Sequence, residues 1–165
     1  MTRFILLLSL WMCNNFALAQ QCDVSIPATT RSADYFVNDD GSITDLEKGI
    51  TWMRCALGQE WDGTHCTGEA ISYDWHQAHK VGTTSRQHKW RLPSLPELAS
   101  IVEQQCQMPR INAQLFPDTP NAVFWTANHK LGSQGKSYAM DFASEGLIIA
   151  DQSARHLVRL VYGRD

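Results

Sequence analysis

Residues 35–53, "YFVNDDGSITDLEKGITWM", alternate short β-favouring runs with polar turns. Runs at 35–37, 42–44 and 50–53 are separated by Asn38-Asp39-Asp40-Gly41 and by Glu47-Lys48-Gly49, which predicts a meander of three short strands. The segment "SYDWHQAHKVG" changes period. Ser72 or Asp74 can cap a short helix that puts Trp75, Ala78 and either Val81 or Gly82 on one side. Further on, "KWRLPSLPELASIVEQQC" places Pro93 after Leu92, which holds Leu92 extended. Ser94 and Glu97 form a capping box, with Pro96 tolerated in the first turn. Leu95, Leu98, Ile101 and Val102 then repeat at helical spacing, predicting a helix over 95–105. The proline-rich stretch 108–122 reads as loop. Beyond it "VFWTANH", "SYAMDFASEG", "LIIAD" and "HLVRLVYG" read as strands, with Tyr138, Met140 and Phe142 alternating onto one face. No internal repeat or linker interrupts the pattern. The fold class predicted is α+β, with short helices around mostly antiparallel strands.

The N-terminal residues change the picture of where this domain works. Arg3, an apolar run over 4–12, and small Ala17 and Ala19 predict a secretory signal peptide over 1–19. That run is too short for a membrane span, and Trp11 and Met12 before Cys13 do not suit a lipobox. A single domain over 20–165 is expected, exported to the periplasm or cell exterior, with no membrane span. Losing Arg3 leaves thirteen basic against seventeen acidic side chains. This balance argues against nucleic acid or anionic polymer as partner. Cys22, Cys55, Cys66 and Cys106 then remain, an even count that predicts two disulfides with three possible connectivities. Closure of the Gly-rich loop "CALGQEWDGTHC" favours Cys55 with Cys66, and so Cys22 with Cys106. A zinc site on these thiols with His65 lacks the close spacing that structural zinc prefers.

Candidate chemistry is sparse. Aligning Gly41 with the glycine of an EF-hand loop puts Phe36 at the first ligand position, so the acidic turn is not a calcium loop. Asp39, Asp40, Asp45 and Glu47 read as turn residues rather than a catalytic carboxylate pair. His76 and His79 are helix neighbours that could bind metal with His65 or His88. Without H-E-x-x-H or a third carboxylate they read as exposed histidines. There is no G-x-S-x-G, no phosphate-binding glycine loop and no recognisable triad, so neither catalysis nor a cofactor is expected. Trp52, Trp75, Trp90 and Trp125 read as core. Trp61, with Asp62 and His65 in the clamped loop, is the first candidate for stacking on a sugar. The second candidate surface is the late loop "NHKLGSQGK", with His129, Lys130 and Lys136 and with Arg155 and His156 as neighbours. In the Trp90-Arg91-Leu92-Pro93 motif, Trp90 is expected to pack, Arg91 to pair with a carboxylate or loop carbonyls, and Ser94 and Glu97 to cap.

The pieces "DDGSITDLEKGITWMRC", "GQEWDGTHCTG", "YDWHQA", "WRLPSLPEL", "INAQLFPDTP", "FWTA", "YAMDFASEG" and "VRLV" run in order from about residue 36 to 161. Their order resembles the Lcl C-terminal domain family, named from a bacterial collagen-like adhesin and long catalogued as a domain of unknown function. The resemblance implies a C-type-lectin-like fold of the version shared with formylglycine-generating enzymes. Those enzymes carry a similar Arg-Leu-Pro turn, matching Arg91, Leu92, Pro93 and Glu97. They depend on a late thiol pair, and here no cysteine follows Cys106, so the resemblance carries no catalysis. It implies instead a binding or adhesion module for a glycan or an envelope or surface protein, with an accessory subunit of a surface assembly such as a pilus as the alternative. The adhesin's sulfated polysaccharide does not carry over, because this chain has no Gly-X-Y tract and a net negative charge.

Overall fold

The structure, a computed structural model, describes residues 20–82, 89–144 and 146–163. The signal peptide expected over 1–19 and the candidate ligand His88 lie outside the described residues. The meander forms as its pattern predicts: β2 (Tyr35–Val37), β3 (Ser42–Asp45) and β4 (Ile50–Met53) pair antiparallel. β11 (Val161–Gly163) adds to β4, giving the order β11-β4-β3-β2. Side chains close the turns. Asp40 Oδ1 accepts from Ser42 N at 3.0 Å, and Asp45 Oδ1 accepts from Glu47 N and Lys48 N at 3.0 and 2.9 Å. One row across the sheet, Ile43, Trp52 and Val161, is fully buried.

A second sheet contains β8 (Val123–His129), β9 (Lys136–Asp141) and β10 (Gly146–Asp151) in the order β10-β9-β8. Apolar groups pack on both faces of β8 and β9, while on the edge strand β10 Leu147 and Ile149 stay exposed. Phe124, Met140 and Phe142 pack with Leu98, Ile101, Ile111 and Phe116. Trp125 and Ala139 pack with Ala78, Trp90, Leu92, Val158 and Leu160. The alternation expected at Tyr138, Met140 and Phe142 holds, with Met140 and Phe142 in one cluster and the intervening Ala139 in the other, but the opposite face of the strand is buried as well. Ser137 and Ala139 are fully buried and Tyr138 only partly, because a strand covered on both sides loses its period-two signal.

The two short helices are α1 (Trp75–Gly82) and α2 (Leu95–Ser100). Asp74 Oδ1 caps α1 by accepting from Gln77 N at 2.8 Å. α2 stops well short of the predicted residue 105. Past it, Glu103 turns inward to accept hydrogen bonds, and Cys106 enters the two-residue strand β7 (Cys106–Gln107) against β1 (Gln21–Cys22). These tertiary contacts outweigh the helical periodicity of the sequence. "HLVRLVYG" is likewise mostly not a strand. Its backbone changes partners from residue to residue: Leu157 bonds to β8, Val158 O accepts from Leu57 N, and Leu160 O accepts from Met53 N. This segment straps the two sheets together.

Both expected disulfides are present. Cys22–Cys106 joins directly opposed residues of β1 and β7. Cys55–Cys66 closes the loop whose small hairpin pairs β5 (Glu60–Trp61) with β6 (Cys66–Thr67). No helix among the described residues is long and apolar enough to cross a membrane.

Candidate functional site

The Trp90 to Glu97 segment is scaffold. Arg91 Nη1 and Nη2 donate to the two carboxylate oxygens of Glu97, each at 2.8 Å. Ser94 N donates to Glu97 Oε2 at 2.7 Å, and Ser94 Oγ accepts from Glu97 N, completing the capping box. Burial alone would raise the Glu97 carboxyl, but Arg91 and Ser94 outweigh it and hold the group below the usual range. Trp90 packs edge-on against Tyr162, and Pro93 O accepts from Ala127 N at 2.7 Å. The turn thereby ties α2 to β8.

The clamped loop uses most of its polar groups on itself. Asp62 Oδ1 accepts from Thr64 N and His65 N, and these bonds lower its carboxyl. His65 Nδ1 lies 3.1 Å from Asp118 Oδ2, which also accepts from Cys66 N. Arg54 sits 4.3 Å from the Trp61 ring centre, and Gly41 approaches the same indole so closely that a Cβ there would lie 2.5 Å from Cγ. Trp61 is therefore partly committed to the fold. His65 remains exposed.

The late loop, in contrast, walls a cleft. The turn between β8 and β9 and helix α1 flank a shallow, open cleft of about 630 Å³ lined by Trp75, His76, His129, Lys130, Gln134 and Gln152, among others. A contiguous cavity shares His76, Gln134 and Gln152 and adds Asp74, Lys80 and Asp151. Trp75 is fixed there by its Nε1–H, which donates to Thr126 O at 2.9 Å. Lys136, expected in the same set, ion-pairs with Asp151 at 2.7 Å. On the other side of the turn, Leu95, Pro96, Leu131 and Tyr138 line a smaller hollow, with Leu131 81% exposed at the tip.

Three expectations need correction. Trp75 is only partly buried and contributes to the cleft wall. His79 is not an exposed partner of His76: it is half-buried, its ring 4.2 Å from that of Trp75. Arg155 turns away from the late loop to donate to Ser72 O, and His156 packs edge-to-face with Trp125, ring centres 4.5 Å apart. Burial pushes both imidazoles, His79 and His156, below the ordinary histidine range. No group of three His, Cys, Asp or Glu among the described residues is placed to hold a metal ion.

Sequence reasoning missed two buried ions. Glu103, 1% exposed, accepts from Thr29 and Thr30 through both their backbone N–H and hydroxyl groups, and from Gln105 N. Burial raises its carboxyl, yet these donors together bring it down to about 2. Arg159, also 1% exposed, donates to Met53 O, Arg54 O and Thr119 Oγ1, and burial lowers it to about 9. A signal existed for Arg159, a lone charge inside the otherwise apolar run "LVRLVY"; Glu103, followed by Gln104 and Gln105, carried none.

A family model described as the Lcl C-terminal domain matches residues 41–162. No curated protein matches the chain.

Proposed function

The chain belongs to the Lcl C-terminal domain family, and from that premise we propose that it is an exported, non-catalytic binding or adhesion module for a glycan or cell-envelope component. The observation that carries this reading is the cleft between α1 and the β8–β9 turn. Trp75 supplies an apolar ring, and His76, His129, Lys130, Gln134 and Gln152 supply hydrogen-bonding groups around it. Sugars present apolar C–H faces next to hydroxyls, and a concave site with one aromatic and several polar side chains matches that chemistry. Two disulfides are compatible with an oxidising compartment outside the cytoplasm. The non-catalytic part rests on the sequence, which has no nucleophile motif and no thiol after Cys106.

The test is a glycan array followed by calorimetric titration of the retained sugar. Lys130→Ala combined with Gln134→Ala should weaken retention at least tenfold while the melting temperature stays within about 2 °C, the range of an ordinary surface change. Retention unchanged by these substitutions would remove the cleft from consideration.

A second reading, an accessory subunit of a surface assembly, draws on a different feature. Phe36 and Val37 on the sheet-edge strand β2, and nearby Leu46, are 60%, 49% and 61% exposed. Apolar side chains along an open edge suit pairing with another chain. A blank array together with one stoichiometric envelope partner on co-purification would favour it.

A further inference from the structure

Two tryptophan–histidine pairs hold the start of α1 against β8. Trp75 donates from Nε1 to Thr126 O at 2.9 Å, and Trp125 donates from Nε1 to Tyr73 O at 2.8 Å. Tyr73 and His156 exchange backbone hydrogen bonds at 2.9 and 3.0 Å. Each indole also meets an imidazole in an edge-to-face contact, the ring centres 4.2 Å apart for His79 and Trp75 and 4.5 Å apart for His156 and Trp125. In both imidazoles Nε2 is buried and has no hydrogen-bond partner. Such an atom is tolerated as the lone-pair nitrogen of a neutral ring. Protonation would make it a charged N–H donor with no acceptor and no access to solvent.

We propose that these pairs form a pH-sensitive seat for α1, so that acidification loosens the helix and opens the cleft that Trp75 and His76 help to wall. The consequence for ligand rests on the function proposed above; the loosening of α1 does not.

The surrounding charges favour this direction at His79. On its own helix, His76 opposes a second charge; Lys80 is the following residue; and from β8 the Ala127 backbone offers one hydrogen bond. No carboxylate among the described residues is a cause of its shift. His156 faces Asp141 of β9, which favours its charged form, but burial outweighs that attraction. Arg155 beside it is directed to Ser72 O and Gln77. An imidazolium beside an indole ring gains some attraction, yet the buried Nε2–H stays unsatisfied. The sign follows from linkage. An unseated imidazole takes up its proton near pH 6.5, and the seated ones only at lower pH. The seat is therefore fully stable above about pH 6.5 and weakens as pH falls below it, by at most about tenfold per imidazole per pH unit.

Hydrogen exchange on the ligand-free protein tests the seat directly. After correction for intrinsic exchange rates, amides of residues 78–81 should lose protection at least tenfold between about pH 7.5 and 5, while those of β9 hold steady. In His79→Phe combined with His156→Phe, which keeps both aromatic contacts, that pH dependence should disappear. Unchanged α1 protection in the wild type, or the same loss in the double variant, overturns the proposal. NMR titration of the wild-type imidazoles gives a second readout that does not depend on the variant folding. His79 charging at pH 6.5 or above, with α1 still protected, would equally overturn it. Sugar retention measured over the same pH range separates the readings: a seat that loosens without any sugar bound at neutral pH leaves the seat standing and removes the glycan function.

Discussion

Replacing Glu103 by Gln keeps its shape and removes its charge, and the structure sets the size of the response. Oε1 accepts from Thr29 N, Thr29 Oγ1 and Gln105 N at 3.0, 3.0 and 3.2 Å, and Oε2 accepts from Thr30 N and Thr30 Oγ1 at 2.9 and 2.6 Å. An amide has only one acceptor oxygen. Whichever way it is turned, its NH₂ faces at least one buried backbone N–H, so a donor opposes a donor. Holding the carboxyl at about 2 instead of the ordinary 4.5 corresponds to about 3 kcal/mol in favour of the ionised folded state. Glu103→Gln should therefore lower unfolding free energy at neutral pH by about 3 kcal/mol, a large share of a domain's total. The pH signature is more specific. The folded carboxyl is depressed, so its contribution is complete above about pH 4.5 and fades as pH falls towards 2. Urea unfolding at about pH 7, 4 and 3, with disulfides oxidised, should show wild type and variant converging as pH drops. A gap below about 0.5 kcal/mol at neutral pH, or one that stays constant down to pH 3, would refute the reasoning.

Arg91→Ala should cost about 2 kcal/mol, the loss of a bidentate, partly exposed charged pair together with support for the α2 cap. Calorimetry would read the cost and ligand retention should be unaffected; lost retention at unchanged stability would make Arg91 a contact residue. Gly41→Ala combines a backbone φ of +80° with a Cβ 2.5 Å from the Trp61 indole. It should destabilise by at least about 2 kcal/mol and alter Trp61 fluorescence, whereas Gly63→Ala, with open space around its Cβ, should show only the smaller backbone cost.

How much could be read in advance depended on how local the cause was. The meander was legible because Asp40, Asp45 and the glycines at 41 and 49 fix their turns within a few residues. So was the α2 start, which Ser94 and Glu97 specify between them. The end of α2 was not legible. Its termination rests on Thr29 and Thr30, more than seventy positions away, receiving Glu103. Strap residues 157–160 were misread for the same reason, since strand-like composition cannot show a backbone that takes a different partner at successive residues. At the candidate site, the sequence reached the late loop through His129 and Lys130. It assigned the opposite wall, Trp75 and His76, to core and open surface respectively. A half-buried tryptophan on a short helix carries the same local pattern as a fully buried one, and only the packing of α1 on β8 distinguishes them.

The seam between the start of the described chain and the end of α2 has a consequence for the order in which the domain can assemble. Cys22 waits for Cys106, and Thr29 and Thr30 wait for Glu103. A chain delivered N-terminus first would hold residues 20–30 without their partners until more than seventy further residues had followed. Contacts this distant in sequence slow folding, because loop closure must precede any return from them. The meander over 35–53 can form from its own turns in the meantime. In such a chain residues 20–30 would settle among the last, and the Cys22–Cys106 bridge would close as a latch after the body of the domain is built.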